Sequence, residues 1–213
     1  MQALPARTPS PHQASTSSLS GYLERWLEEV RATPGLTAIG DPVEARRMLL
    51  DDALRALPVL DSRPGDVIDV GSGGGTPGVP LAASRPQRAF TLLEAERRKC
   101  EFLEVMTAEL DNVTVRWGRA EEQPVDAFGV ALAKALAKPP VAAELCLPLV
   151  APGGVAILWL ADSADRGAVA TVASALGARL EEDVDGLVVL RKLRETPPGF
   201  PRRPGVAKKR PLA

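Results

Sequence analysis

The spacing of hydrophobic positions changes at about residue 66. Before that point it is helical. Leu23, Trp26, Leu27 and Val30 fall at i, i+3, i+4 and i+7, one face of a helix over about 20–31. Pro34-Gly35 breaks it. Asp41-Pro42-Val43-Glu44 then reads as a helix start, with Asp as N-cap, Pro at the first helical position and Glu reaching back as a capping box. That helix is predicted to run to about Leu57, with Pro58 beyond its end. These two helices form an expected N-terminal helical cap over 18–60. From residue 66 short apolar runs alternate with helical periodicity. Strands are predicted over 66–70, 89–93, 113–117, 128–133 and 155–160, and helices over 77–84, 95–110, 141–149 and 165–176. Pro152-Gly153-Gly154 closes the third of those helices, and segments 179–183 and 187–192 pair as an antiparallel hairpin around Asp185-Gly186. Strands alternating with helices specify an α/β fold with a doubly wound sheet, placed here at 61–194.

Composition refines the two ends. Residues 1–17 are rich in Pro, Ser and Thr and read as a flexible leader, which contains the only histidine, His12. Residues 195–213 are Pro-rich and basic and read as an arm. The net charge of -1 hides a division: residues 1–190 carry 18 basic against 26 acidic side chains, and residues 191–213 carry 8 against 1. A uniformly cationic coat is excluded, while a local basic arm is allowed. With 45% hydrophobic residues the chain can bury a core. Cys100 and Cys146 lack CxxC spacing, so they read as two small buried apolar groups rather than zinc ligands or a disulfide. No apolar run reaches the ~18–20 residues of a membrane span, and no signal pattern opens the chain. A reduced, cytoplasmic, metal-free monomer is expected.

The chemistry concentrates after the first sheet strand. Asp69-Val70-Gly71-Ser72-Gly73-Gly74-Gly75 follows a strand and opens a helix, where glycine permits the turn and the close approach of a ligand. No Lys follows, which excludes a phosphate-binding P-loop. A dinucleotide fingerprint needs a third glycine where Thr76-Pro77 stands. Gly71, Gly73 and Gly75 match instead the first motif of adenosylmethionine-dependent methyltransferases. Glu94 ends the second strand, 23 residues after Gly71, where a carboxylate can accept both ribose hydroxyls.

Several longer stretches carry a resemblance. DVGSGGGTPGVPLAASRP, FTLLEAERRKCEFLEVMTAELDNVTVRWGRAEE, a PGG at a strand start and the terminal PRRPGVAKKRPL resemble the bacterial small-subunit ribosomal RNA methyltransferase G family, also called glucose-inhibited division protein B. The resemblance spans roughly Leu23 to Leu212. Pro77-Gly78, Arg119-Ala120-Glu121 and the terminal motif are its more specific parts. It implies a seven-stranded, Rossmann-like methyltransferase sheet, S-adenosylmethionine as cofactor, and 16S rRNA or the small ribosomal subunit as partner. The implied activity is methylation of N7 of one guanine. By position it places Gly71, Gly73 and Thr76 beside the methionine, Glu94 on the ribose, Ala120 and Glu121 beside the adenine, and Lys134 facing cofactor and substrate. The chain departs from the family pattern at Gly35, Met48, Thr76, Gly129, Lys134 and Trp159-Leu160. Lys134 replaces an Arg, which keeps the charge and loses the bidentate fork.

Guanine N7 carries a lone pair and no proton, so its methylation needs positioning rather than a general base, and no base is assigned. Lys134 is the substrate-orienting candidate. Arg97, Arg119 and the arm residues Arg202, Arg203, Lys208, Lys209 and Arg210 are the RNA-binding candidates. A small-molecule methyltransferase of the same fold, a cofactor-binding protein without catalysis and, more distantly, an NAD-dependent oxidoreductase are the competing readings.

Overall fold

The structure, a computed structural model, describes residues 11–181 and 186–213. Helix α1 (Pro11–Ala32) buries Leu23, Trp26, Leu27 and Val30, the four positions whose spacing predicts it. It begins earlier than expected, so the backbone is helical over 11–17, where the sequence suggests a flexible leader; residues 1–10 lie outside the described residues. Asp41 caps α2 (Pro42–Ala45), its carboxylate accepting the Glu44 N–H at 2.8 Å. The expected single helix is not uniform. Residues Arg46–Asp51 widen into a π-helical turn, in which the Asp52 N–H reaches back to Arg47. Then α3 (Asp52–Leu54) follows, and α4 (Leu57–Asp61) takes Pro58 into its first turn instead of stopping before it. A first-turn proline forfeits no helical hydrogen bond, so the chain can resume there.

The sheet is built from β1 (Val67–Val70), β2 (Phe90–Glu94), β3 (Val113–Trp117), β4 (Phe128–Lys134), β5 (Val150–Trp159), β6 (Ala178–Leu180) and β7 (Leu187–Lys192). Its order is β3-β2-β1-β4-β5-β7-β6. The first five strands are parallel, and β7 lies antiparallel between β5 and β6. The hairpin thus forms as predicted, although residues 182–185 of its turn lie outside the described residues. Helices α5 (Gly78–Ser84), α6 (Arg97–Met106), α7 (Pro139–Cys146) and α8 (Arg166–Ala175) cross over between strands, and α9 (Val206–Lys209) ends the chain. One sheet face buries Ile68, Ala131 and Leu158 against α7 and α8; the other buries Val67, Leu132 and Ile157. A further apolar cluster joins α1 to Val79, Leu92 and Leu103.

One further local prediction changes. Pro152-Gly153-Gly154 does not close a helix but lies inside β5, where the pairing with β4 shifts register between Phe128 and Val130. A Cβ at Gly154 would stand 2.4 Å from the Gly129 carbonyl oxygen, so only glycine lets the strands approach. Gly129 itself passes Pro64, where a Cβ would lie 2.0 Å from the carbonyl oxygen. The departure at this position is therefore a packing requirement at the start of β4, the end remote from the strand's C-terminal Lys134.

The C-terminal arm is not a free tail. Thr196 donates its N–H and hydroxyl to Asp126, at 2.9 and 2.8 Å, and Lys192, fully buried, donates to Asp126 at 3.1 Å. Burial alone would raise the Asp126 carboxyl, but the Thr196 and Lys192 bonds hold it below its usual range. Burial lowers the Lys192 ammonium, opposed by Asp126. Arg202 makes two parallel bonds of 2.6 Å to Glu144 on α7, a carboxylate side chain only 3% exposed. Ala207 of α9 is buried. Arg202, expected to meet RNA, is thus consumed by an internal bidentate pair. Replacing Arg202 with Ala strands the Glu144 charge and is expected to lower stability by about 3 kcal/mol, whereas Arg202→Ala combined with Glu144→Leu recovers most of it. Chemical denaturation of the four members of this cycle checks the pair.

Candidate active site

A cleft of about 1240 Å³ opens at the C-terminal ends of the parallel strands. It lies where the strand order reverses between β1 and β4, the position at which a doubly wound sheet leaves a crevice. Its volume lies above the range typical of a single small-ligand pocket, ~300–1,000 Å³.

One half is built on β1, β2 and β3. Gly71 and Gly73 adopt φ of +74° and +56°, a conformation that side-chain-bearing residues rarely take. The Gly73 N–H donates to Glu94 Oε2 at 2.9 Å, and the Glu96 N–H donates to Oε1 at 2.8 Å. Glu94 is buried at the end of β2 and lines the cleft, so two backbone donors fix its carboxylate while each oxygen retains an acceptor site. Ala120 and Glu121 follow on a short 3₁₀ turn and line the same half. The sequence-assigned Gly71, Gly73, Thr76, Glu94, Ala120, Glu121 and Lys134 are therefore brought together.

Gly75 is not. It does not line the cleft; a Cβ there would meet Val79 at 2.6 Å and the Trp26 indole nitrogen at 3.1 Å. Its glycine is required by packing against Val79 and Trp26, and the structure does not bring it to the cleft with the other residues assigned to the cofactor. Gly78 has a similar reason: a Cβ would lie 2.4 Å from Leu92 and 2.6 Å from Asp69 Oδ2. Asp69 is buried beneath the loop, accepting the Gly78 N–H at 3.1 Å with Oδ2, while Oδ1 has no hydrogen-bond partner. Burial pushes its carboxyl up to about 7, which favours the neutral acid in this apolar slot.

The other half is shared with the helical cap, through residues that depart from the family pattern. Thr76 Oγ1 donates to the Leu49 carbonyl at 2.7 Å, in the π-helical turn. Lys134, at the end of β4, pairs with Asp52, whose other oxygen meets Arg55 at 2.7 Å. Trp159, paired with Lys134 across β4 and β5, donates its indole N–H to the Asp52 carbonyl at 3.0 Å. Met48, Asp52, Arg55, Lys134 and Trp159 all line the cleft. Ala135 follows at φ +55°, a left-handed conformation costing about 1 kcal/mol in a residue with a Cβ, held where β4 enters the cleft. Asp52 and Arg55 are absent from the sequence-assigned site. Within DDALRAL they read as ordinary helix-surface charges, and only tertiary docking carries them to Lys134.

The arm supplies a third wall. The Gly205 N–H donates to Glu121 Oε1 at 3.0 Å, and Gly205, Ala207, Lys208 and Pro211 line the cleft. Lys208, Lys209, Arg210 and Arg203 are exposed. Arg119 is exposed and lines the cleft; Arg97 is exposed, pairs with Glu101 at 3.1 Å and lies over Trp117. Both cysteines are buried, and burial raises both thiols. Among the described residues, no helix is long and apolar enough to cross a membrane.

Comparison with known proteins agrees with this geometry. The model of the GidB family, described as rRNA small subunit methyltransferase G, matches residues 15–176. A ribosomal RNA small subunit methyltransferase G from Symbiobacterium thermophilum is 39% identical over 215 residues, covering 89% of this chain and 86% of the relative. One from Pelotomaculum thermopropionicum is 37% identical over 199 residues, covering 83% and 82%. Among solved structures, an adenosylmethionine-dependent O-methyltransferase from Thermotoga maritima aligns with a TM-score of 0.55 at 15% identity, over 77% of this chain and 73% of that one. A Burkholderia thailandensis 1,6-didemethyltoxoflavin-N1-methyltransferase with bound S-adenosylhomocysteine gives 0.52 at 15% identity, over 90% and 94%. The structural likenesses show the shared fold, and the family match together with the sequence relatives establishes that this chain belongs to the rRNA small subunit methyltransferase G family.

Proposed function

We propose that this chain uses S-adenosylmethionine to methylate N7 of a guanine in 16S rRNA. The observation that carries the reading is the pairing of Glu94 with the glycine loop inside a cleft large enough for cofactor and base. The residues fit the cofactor: Gly71 and Gly73 leave room along the loop, Glu94 offers acceptor sites to a ribose diol, and Ala120 and Glu121 flank the place for an adenine. When bound, S-adenosylmethionine would supply the sulfonium methyl group that the N7 lone pair accepts, with S-adenosylhomocysteine as the leaving group. No proton leaves N7, so the chain needs no general base. What the chain supplies is orientation and exclusion of water, worth up to ~7–11 kcal/mol of barrier.

Lys134 is proposed to face the substrate side of the cleft, oriented by Asp52. Arg119 and the arm cations Lys208, Lys209 and Arg210 are proposed to meet RNA phosphates. An rRNA substrate implies work in the cytoplasm. The domain division proposed is a helical cap, a cofactor-binding sheet domain at 61–194 and an arm over 195–213 that closes the cleft rather than trailing from it. Deletion of the arm would remove a cleft wall, so point substitutions are the cleaner probe of its cations.

Incubation with 16S rRNA or small subunits from a strain lacking the modification is expected to yield 7-methylguanosine, read by mass mapping. Methylation at any other atom, or none, overturns the reading. Glu94→Gln is expected to weaken cofactor binding about 10- to 100-fold by calorimetry, the loss of one or two charge-assisted hydrogen bonds. The combined Lys208→Ala, Lys209→Ala and Arg210→Ala variant is expected to bind cofactor normally. Its plot of log RNA affinity against log salt should flatten by about 2, at ~0.7 for each phosphate that the protein no longer neutralises.

A further inference from the structure

Trp117 is unusual for its residue type. It ends β3, the edge strand of the sheet, and is 60% exposed. It is nonetheless held in place. Its indole N–H donates to the Ala95 carbonyl at 3.0 Å, and the Arg97 guanidinium lies 5.3 Å from its ring centroid. The ring stands on the rim of the cleft, because Ala95, Gly118 and Arg119, its neighbours in space and sequence, line that cleft. It is in register with Glu94 on β2.

We infer that Trp117 and Arg97 form a stacking platform for an unpaired RNA base beside the one that enters the cleft; this rests on RNA being the substrate. Single-stranded RNA is recognised by stacking splayed bases on aromatic rings and guanidinium planes, with cations holding the backbone. The rim supplies both parts: Arg97, itself paired with Glu101, lies over the ring, and the exposed Arg119 follows two residues later on the cleft wall. A protein-docking patch would need an apolar surround, which these charges do not provide. The indole hydrogen bond fixes the ring plane before RNA arrives, so binding need not order it. Arg97 then acts through its plane on Trp117 as well as through its charge.

The test measures binding of a short labelled single-stranded RNA to the full chain, with a duplex of the same length as control. Trp117→Ala and Trp117→Leu are expected to weaken single-strand binding about fivefold or more, and Trp117→Phe, which keeps a stacking face, by no more than about twofold. The salt slope should stay unchanged in all three, since stacking releases no counterions. RNA should also quench the emission of the wild type more than that of Trp117→Phe, because Trp26 is buried and Trp159 is partly so. Wild-type affinity in the Ala or Leu variant, or equal losses in Ala, Leu and Phe, overturns the platform. The readout is binding, so a failure to methylate rRNA would overturn the proposed activity and leave this result to be judged by itself.

Discussion

The cleft depends on how the helical cap grips the glycine loop. A loop of consecutive glycines has no side chains to satisfy or anchor its own backbone, and buried backbone groups need partners. Trp26, fully buried on α1, supplies one: its indole N–H donates to the Gly74 carbonyl at 2.9 Å. Gly75 lets the loop approach that indole, and Thr76 continues the contact by donating to Leu49. With these bonds made, Gly73 is presented to Glu94, whose carboxylate its N–H binds in the wall of the cleft. The cap is therefore part of the site's construction and not an accessory laid over a finished sheet.

Charge distribution gains a structural meaning from the same contacts. Of the cations after residue 190, Arg191 meets Glu181, Lys192 meets Asp126 and Arg202 meets Glu144. These pairs anchor the hairpin and the arm to the domain. The exposed Lys208, Lys209 and Arg210 follow on or directly after α9, whose leading glycine is bound to Glu121. A segment that counts as uniformly basic in sequence thus divides into cations that fasten it and exposed cations, of which Lys208 lines the cleft.

The strands and crossover helices were legible because apolar periodicity reports burial: β1, β2 and β4 are buried on both faces, while the edge strand β3 is only half-buried. Glu94 was legible because a carboxylate at that offset from a glycine loop has few other reasons to end a buried strand. What escaped the sequence depends on contacts between segments far apart in the chain. Gly75 has the same composition signal as Gly73, yet its direction toward Trp26 follows from the docking of α1. Pro152-Gly153-Gly154 carries the signal of a helix stop, but the close approach of Gly129 and Gly154 makes it a strand irregularity. Asp52 looks like any helix carboxylate until the π-helical turn and Lys134 are placed beside it.

The positions that depart from the family pattern sort by the same logic. Gly129 sits at the opposite end of β4 from the cleft and answers to Pro64. Thr76, Lys134 and Trp159 all bind the segment from Leu49 to Asp52, so these three positions meet in one contact with the helical cap. A lysine has a single ammonium where an arginine has a fork, and here Asp52, also held by Arg55, sets where that ammonium stands. Positioning chemistry tolerates such exchange better than proton-transfer chemistry does. A general base must keep its identity and pKa, whereas a group that orients a nucleophile with no proton to lose need only be held in the right place. The cap contact at Asp52 sets where the Lys134 ammonium stands, so the wall that the helical cap shares with β4 and β5 is built from contacts between segments far apart in the chain.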